Sequence, residues 1–122
     1  MFAKRMNQLR KRLGKSDLDV ALITDDDSVY YYTGYFDYLH MEFGRPTILA
    51  VPREGDSVLI TPTMELDMAE EAAVVDRIEA WNDGLGNEWR ESLPAILAKA
   101  GRVAIELDQI PAPVRNFIES IV

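Results

Sequence analysis

No cysteine occurs anywhere in the 122 residues. That absence excludes a disulfide framework, a thiol nucleophile and any Cys-ligated zinc or iron–sulfur site. Histidine is nearly absent too: His40 stands alone, with Glu42 two residues on. A usable zinc site needs three or four ligands, so that pair is not one by itself. No apolar run approaches the roughly 20 residues of a membrane-crossing helix, and the N-terminus lacks the apolar stretch of a secretory signal. Base is scarce relative to acid: 13 Lys and Arg stand against 21 Asp and Glu, a net charge of −8. A general nucleic-acid binder needs the opposite surplus to neutralise phosphates. The glycine-rich loop of a phosphate or dinucleotide site is missing, since Gly84-Leu85-Gly86 has no further fingerprint around it. Serines 16, 28, 57, 92 and 120 lack the setting of a nucleophile elbow. The apolar share of 48% and charged share of 28% are those of a folded chain. These features lead to the expectation of one soluble, cytoplasmic α/β domain that touches neither nucleic acid nor membrane.

The charge that is present is unevenly placed. Residues 1–16 carry Lys4, Arg5, Arg10, Lys11, Arg12 and Lys15 without an acid, leaving 7 bases against 21 acids, a balance of −14, in the remainder. Phe2, Met6, Leu9 and Leu13 recur there at steps of four, three and four, which is one stripe of a helix. The spacing predicts an amphipathic helix docked on the domain, its bases facing the acidic body or a partner. A membrane-surface or nucleic-acid arm is the competing reading.

Apolar runs mark five strands: Val20 to Thr24, Thr47 to Val51, Ser57 to Thr61, Arg77 to Trp81 and Arg102 to Glu106. Arg53-Glu54-Gly55-Asp56 reads as the turn of a hairpin joining the second and third. Asp25-Asp26-Asp27-Ser28 offers cap chemistry for a short helix through Thr33, with Gly34 at the position that needs positive φ. Pro62 suits the first turn of a helix through about Ala73, with Glu65 and Asp67 near its positive end. Pro94 splits the stretch from Asn87 to Gly101 into two pieces, and Pro111 and Pro113 open a last helix ending near Ile121. Alternating strands and helices around one hairpin predict a mixed sheet of about five strands, with strands 1, 4 and 5 parallel and strand 2 antiparallel to strand 1. Helices on both faces make it a three-layer α/β domain.

Three features are candidates for chemistry. Asp25, Asp26 and Asp27 stand after the first strand, where α/β sheets bind ligands. A receiver-type Mg²⁺ pocket would also need a Lys after the last strand, and Lys4, Lys11, Lys15 and Lys99 follow no strand, so capping is the expectation. Tyr30, Tyr31, Tyr32, Tyr35, Phe36 and Tyr38 gather more than half of the nine Tyr and Phe residues into nine positions. The first three are expected to fill core. The segment from Tyr35 onward reads equally as core or as an exposed interface or ligand mouth. His40 with the acidic turn is the remaining candidate for independent catalysis.

The order of the pieces resembles the N-terminal domain of the creatinase/prolidase family. Arg5-x-x-x-Leu9 in a first helix, Leu18 to Thr24, Val29-Tyr30-Tyr31-Tyr32-Thr33-Gly34-Tyr35, Thr47 to Val51, Gly55 to Pro62 with Glu65 and Ala69, and Arg102 to Glu106 carry the resemblance across nearly the whole chain. It implies a ribonuclease H-like fold over residues 1–122, read as a C-terminally truncated domain whose pita-bread catalytic domain is absent. It implies no catalytic or metal-ligating residue and no cofactor in this chain, the dinuclear Mn, Co or Zn centre belonging to the missing half. The function implied is that of the non-catalytic domain of a Xaa-Pro dipeptidase or aminopeptidase, aiding dimerisation and substrate gating. Its partners would be its own catalytic domain, a second copy in a homodimer and, for the whole enzyme, proline-containing peptides. Alternatives are a peptide- or protein-binding module of an inactive relative, or the N-terminal domain of a creatinase-type amidinohydrolase. The candidate interface or gating loop comprises Tyr35, Phe36, Asp37, His40 and Arg45. Charge-assisted bonds from Asp37, His40 and Arg45 would hold a peptide terminus, and Tyr35 and Phe36 would pack a proline ring.

Overall fold

The computed structural model describes residues 2–35, 47–63, 66–81, 88–98, 101–105 and 112–121. Helix α1 (Phe2–Lys15) leads into β1 (Val20–Ile23) and α2 (Asp26–Thr33). The hairpin β2 (Ile48–Pro52) and β3 (Val58–Pro62) follows, then α3 (Leu66–Ala72) and β4 (Arg77–Trp81). A 3-10 turn (Glu88–Glu91) precedes α4 (Leu93–Leu97), β5 (Val103–Ile105) and α5 (Ala112–Ile121). None of the described helices is long and apolar enough to cross a membrane.

One five-stranded sheet has the order β4-β3-β2-β1-β5. β1 pairs antiparallel with β2 and β2 with β3, whereas β1–β5 and β3–β4 are parallel. Strands 1, 3, 4 and 5 therefore run in one direction and β2 alone is reversed, which agrees with the predicted directions of strands 1, 2, 4 and 5. The register puts Leu22 opposite Ala50 on one side and beside Ile105 on the other, so β1 has a strand at each edge.

Side chains of a strand point alternately to the two faces, and that period sorts the core into two layers. Val20, Leu22, Ile48, Ala50, Val58, Ile60 and Trp81 face one way and are covered by Trp89, Leu93, Leu97, Val114 and Ile118, from the 3-10 turn, α4 and α5. Ile23, Leu49, Val51 and Leu59 face the other way, beneath Met6 of α1, Val29 of α2 and Ala69 of α3. The apolar stripe of α1 docks as its spacing requires: Met6 and Leu13 are buried, with Phe2 and Leu9 half-buried.

Two local expectations are corrected. Pro62 does not open a helix. It ends β3 opposite Trp81, and α3 starts at Leu66. The described β2–β3 pairs run only from Ile48↔Ile60 to Ala50↔Val58, so Pro62 projects past the β2 ladder, where a missing N–H costs no bond. Second, Tyr30 and Tyr31 do not fill core; they are 51% and 48% exposed. On the short helix α2, Val29 and Tyr32 take the inward positions at i and i+3, which turns the two tyrosines between them outward. Pro94, by contrast, lies in α4 next to its start, after a separate 3-10 turn, so that stretch is in two pieces as expected.

Candidate functional site

The helix that leads to the candidate loop begins where β1 delivers the chain to α2. Asp25 sits there with extended backbone and caps the helix, accepting from Ser28 N at 3.2 Å and Ser28 Oγ at 3.3 Å. A carboxylate at this place satisfies an otherwise orphan N–H and faces the positive helix end, so Asp25 does the capping the sequence predicts. Asp27 is exposed. Among the described residues no three His, Asp or Glu side chains gather into a potential metal site. His40 and Glu42 lie outside the described residues.

The helix ends in a tight clamp. Gly34 has φ 82° and its N–H donates to Tyr30 O at 2.8 Å. Thr33, fully buried, donates from Oγ1 to Val29 O at 2.7 Å and accepts from Tyr35 N at 3.1 Å. Its carbonyl accepts from Val74 N at 2.7 Å, tying α2 to the segment after α3. Tyr35 is 1% exposed and belongs to the core beneath α1–α3. The ring offered as a surface for proline is therefore corrected to a core anchor, held inside by the clamp one residue earlier. On the far side, Thr47 is buried and its Oγ1 shares a hydrogen bond with Thr61 Oγ1 at 3.2 Å. Both stems of the segment 36–46 are thus pinned to the sheet. Phe36, Asp37, His40 and Arg45, with Tyr38, lie outside the described residues.

Two polar constellations form only when the chain folds. Asp19, at the start of β1, accepts from Gly101 N at 2.8 Å and Arg102 N at 3.0 Å, and from Arg53 Nη2 at 3.4 Å. Those two backbone N–H bonds, then the Arg53 and Arg102 guanidiniums, hold its carboxyl below the ordinary aspartate value, outweighing the opposing desolvation. Chain-distant residues 53 and 101–102 make the pattern invisible before folding. The second lies under α1, in a cleft of about 310 Å³ lined by Met6, Arg10, Ser57, Val74, Val75 and Asp76, among others. Arg10 donates to Gly55 O at 2.6 Å and lies 3.7 Å from Asp76. Asp76 in turn accepts from Ser57 N at 2.9 Å and Ser57 Oγ at 3.2 Å. These groups are spent on one another, so the cleft serves to seat the helix. Arg5 does similar work at the other end, donating to Tyr31 O at 2.7 Å with its guanidinium 4.1 Å above the Tyr31 ring.

A mixed five-stranded sheet between two layers of helices defines a three-layer α/β domain. The sequence matches the Creatinase/Prolidase N-terminal domain family over residues 5–120, and the chain belongs to that family. Among solved structures, it is similar to the creatinase/prolidase N-terminal domain of an Xaa-Pro dipeptidase from Streptococcus pyogenes. The TM-score is 0.83 and the identity 22%, over 97% of this chain and 87% of that one. A proline dipeptidase structure from Streptococcus agalactiae gives 0.83 and 22%, over 98% and 87%. A dipeptidase from Pyrococcus horikoshii gives 0.76 and 28%, over 99% of this chain but 32% of that one.

Proposed function

We propose that this chain is the non-catalytic N-terminal domain of a Xaa-Pro dipeptidase or aminopeptidase, working in the cytoplasm with its own C-terminal catalytic domain. In this reading it shapes a homodimer and narrows access to the catalytic cleft through the segment from Tyr35 to Arg45. The observation that carries the reading is its similarity, over nearly its full length, to N-terminal domains of Xaa-Pro dipeptidases. The buried positions of Tyr35 and Thr47 support the gating role, because groups that select substrate must be presented from fixed points. Hydrolysis and the dinuclear Mn, Co or Zn centre are assigned to the catalytic domain, and the contribution of this chain is geometric.

The test is a chimera in which this chain replaces the N-terminal domain of the Streptococcus pyogenes dipeptidase, assayed on Ala-Pro with Mn²⁺. The chain alone is expected to turn nothing over, and the chimera to be active and dimeric. Replacing Asp37, His40 and Arg45 by Ala in the chimera is expected to raise KM about tenfold or more with kcat within about twofold, as lost substrate positioning does. Turnover by the chain alone, or a chimera no different in mass and KM from the catalytic domain by itself, overturns the reading.

A further inference from the structure

Helix α1 carries positive charge where its own stability gains nothing from it. Its first turn holds no acid but does hold Lys4 and Arg5, beside backbone N–H groups whose partial positive charge a carboxylate would have met. Farther along, Lys11 and Lys15 stand at i and i+4, and Arg12 and Lys15 at i and i+3, like-charge pairs that repel on a helix surface. The six bases of residues 1–16 then part into two kinds. Arg5 donates to Tyr31 O at 2.7 Å and Arg10 to Gly55 O at 2.6 Å, with Asp76 3.7 Å away, so these two bind the body. Taking about 100° per residue, Lys4, Lys11 and Lys15 fall within about 20° of one line opposite the buried stripe, and Arg12 lies beside them. All four are exposed, and among the described residues none of their side chains enters an ion pair. A row that opposes the local rules of its helix without a gain in the fold marks a surface kept for something outside it.

The extent of the row selects what it can meet. Lys4 and Lys15 are 11 residues apart, about 16 Å of helix. The remainder of the chain carries 7 bases against 21 acids. A long polyanion such as a nucleic acid, or a flat anionic lipid surface, is attracted at the row and repelled by that body. The apolar stripe that would enter a lipid is also engaged elsewhere, with Met6 and Leu13 buried in the domain. A compact acidic segment of another protein, about as long as the row, meets the attraction without the repulsion. The flank of α1 that carries Arg5 and Arg12 turns toward α2, whose Tyr31 is half-exposed with the Arg5 guanidinium 4.1 Å from its ring centre. Held in this way, the ring offers an aromatic contact beside the cations with little further loss of freedom.

We propose that the outer face of α1 is a docking ridge for an acidic segment of another protein, held by Lys4, Lys11, Arg12 and Lys15. The ridge stands independently of the proposed peptidase role. It is tested by fluorescence anisotropy of the chain with a labelled oligoglutamate about as long as the ridge. An oligothymidylate of equal charge and vesicles of phosphatidylcholine with phosphatidylserine are titrated beside it. The peptide is expected to bind in low salt and to weaken about tenfold or more in 0.5 M NaCl, where screening is short-ranged. Lys4→Gln, Lys11→Gln and Lys15→Gln together are expected to weaken it about tenfold or more in low salt. Arg77→Gln with Arg115→Gln, on β4 and α5, is expected to leave binding within about twofold. Lys4→Glu alone is expected to weaken the peptide while raising the melting temperature, because it puts a carboxylate in the first turn; misfolding would lower both. A peptide that does not bind, that binds the triple variant as well as wild type, or that is weakened as much by the β4 and α5 changes, overturns the ridge. Tighter binding of the oligothymidylate or the vesicles overturns it as well.

Discussion

Three side chains show how much a single position can decide here. Leu22 is 1% exposed in the central strand, among Ala50, Ile60 and the helices that cover them. Leu22→Ala is expected to lower unfolding free energy by about 2–5 kcal/mol in urea denaturation, as transfer and cavity costs add. At Gly34 the obstacle is conformational: φ 82° is a region an L residue enters at a cost of about 1–2 kcal/mol. An added Cβ also crowds the Phe2 ring at 3.0 Å. Gly34→Ala should therefore destabilise by at least that much, and a variant as stable as wild type would disprove the clamp. Asp19 acts through its charge. Its carboxyl titrates below the ordinary 3.8, chiefly because Gly101 and Arg102 donate backbone N–H bonds to it. A depressed folded value means its stabilisation is present above about pH 4 and is lost as pH falls through that lower value. Asp19→Asn is expected to flatten the acid limb of a melting-temperature profile below pH 4, leaving the shape above pH 5 unchanged.

At the scale of elements, α1 is the piece whose role depends most on its surroundings. Its stripe was legible, because a 3.6-residue period needs no partner to be seen. Which cations bind the body was not, since Gly55 and Asp76 come near Arg10 only once the hairpin and the β4 start have folded. The α2 tyrosines show the reverse difficulty. Three aromatics in a row read as core by composition, yet a helix can turn only part of its circumference inward, and Val29 and Tyr32 occupy that part. Pro62 looked like a helix opener for the same reason of local reasoning: its φ suits either setting, and only the register with Trp81 chooses the strand. The cap at Asp25 is an element-scale prediction. Asp25→Ala is expected to cost about 1 kcal/mol, read as a lower urea midpoint with an unchanged slope, because α2 loses the bonds at Ser28 but not its packing.

For the whole molecule, the sheet separates two cores that share one backbone layer. Both tryptophans, Trp81 and Trp89, lie in the core beneath α4 and α5, whereas Tyr35 lies in the other. Tryptophan fluorescence therefore reports one face and far-UV circular dichroism the whole. The two midpoints in urea are expected to coincide, because Val20 to Ile23 alternate between the faces and neither core can dissolve without the strand. A tryptophan midpoint distinct from the helical signal would show that the layers unfold separately.

The amino-acid sequence alone determined the five strands, the hairpin, the direction of strands 1, 4 and 5, the helical break near Pro94 and the family. Each of these depends on periodicity or on backbone chemistry within a few residues, and such information is carried locally. Tertiary structure alone decided that β1 lies between β2 and β5, that Tyr35 is buried while Tyr30 and Tyr31 are exposed, and that Asp19 joins residues 53 and 101–102. Burial, ion pairing and the meeting of surfaces depend on distances between segments far apart in the chain, and those distances exist only once the sheet has closed.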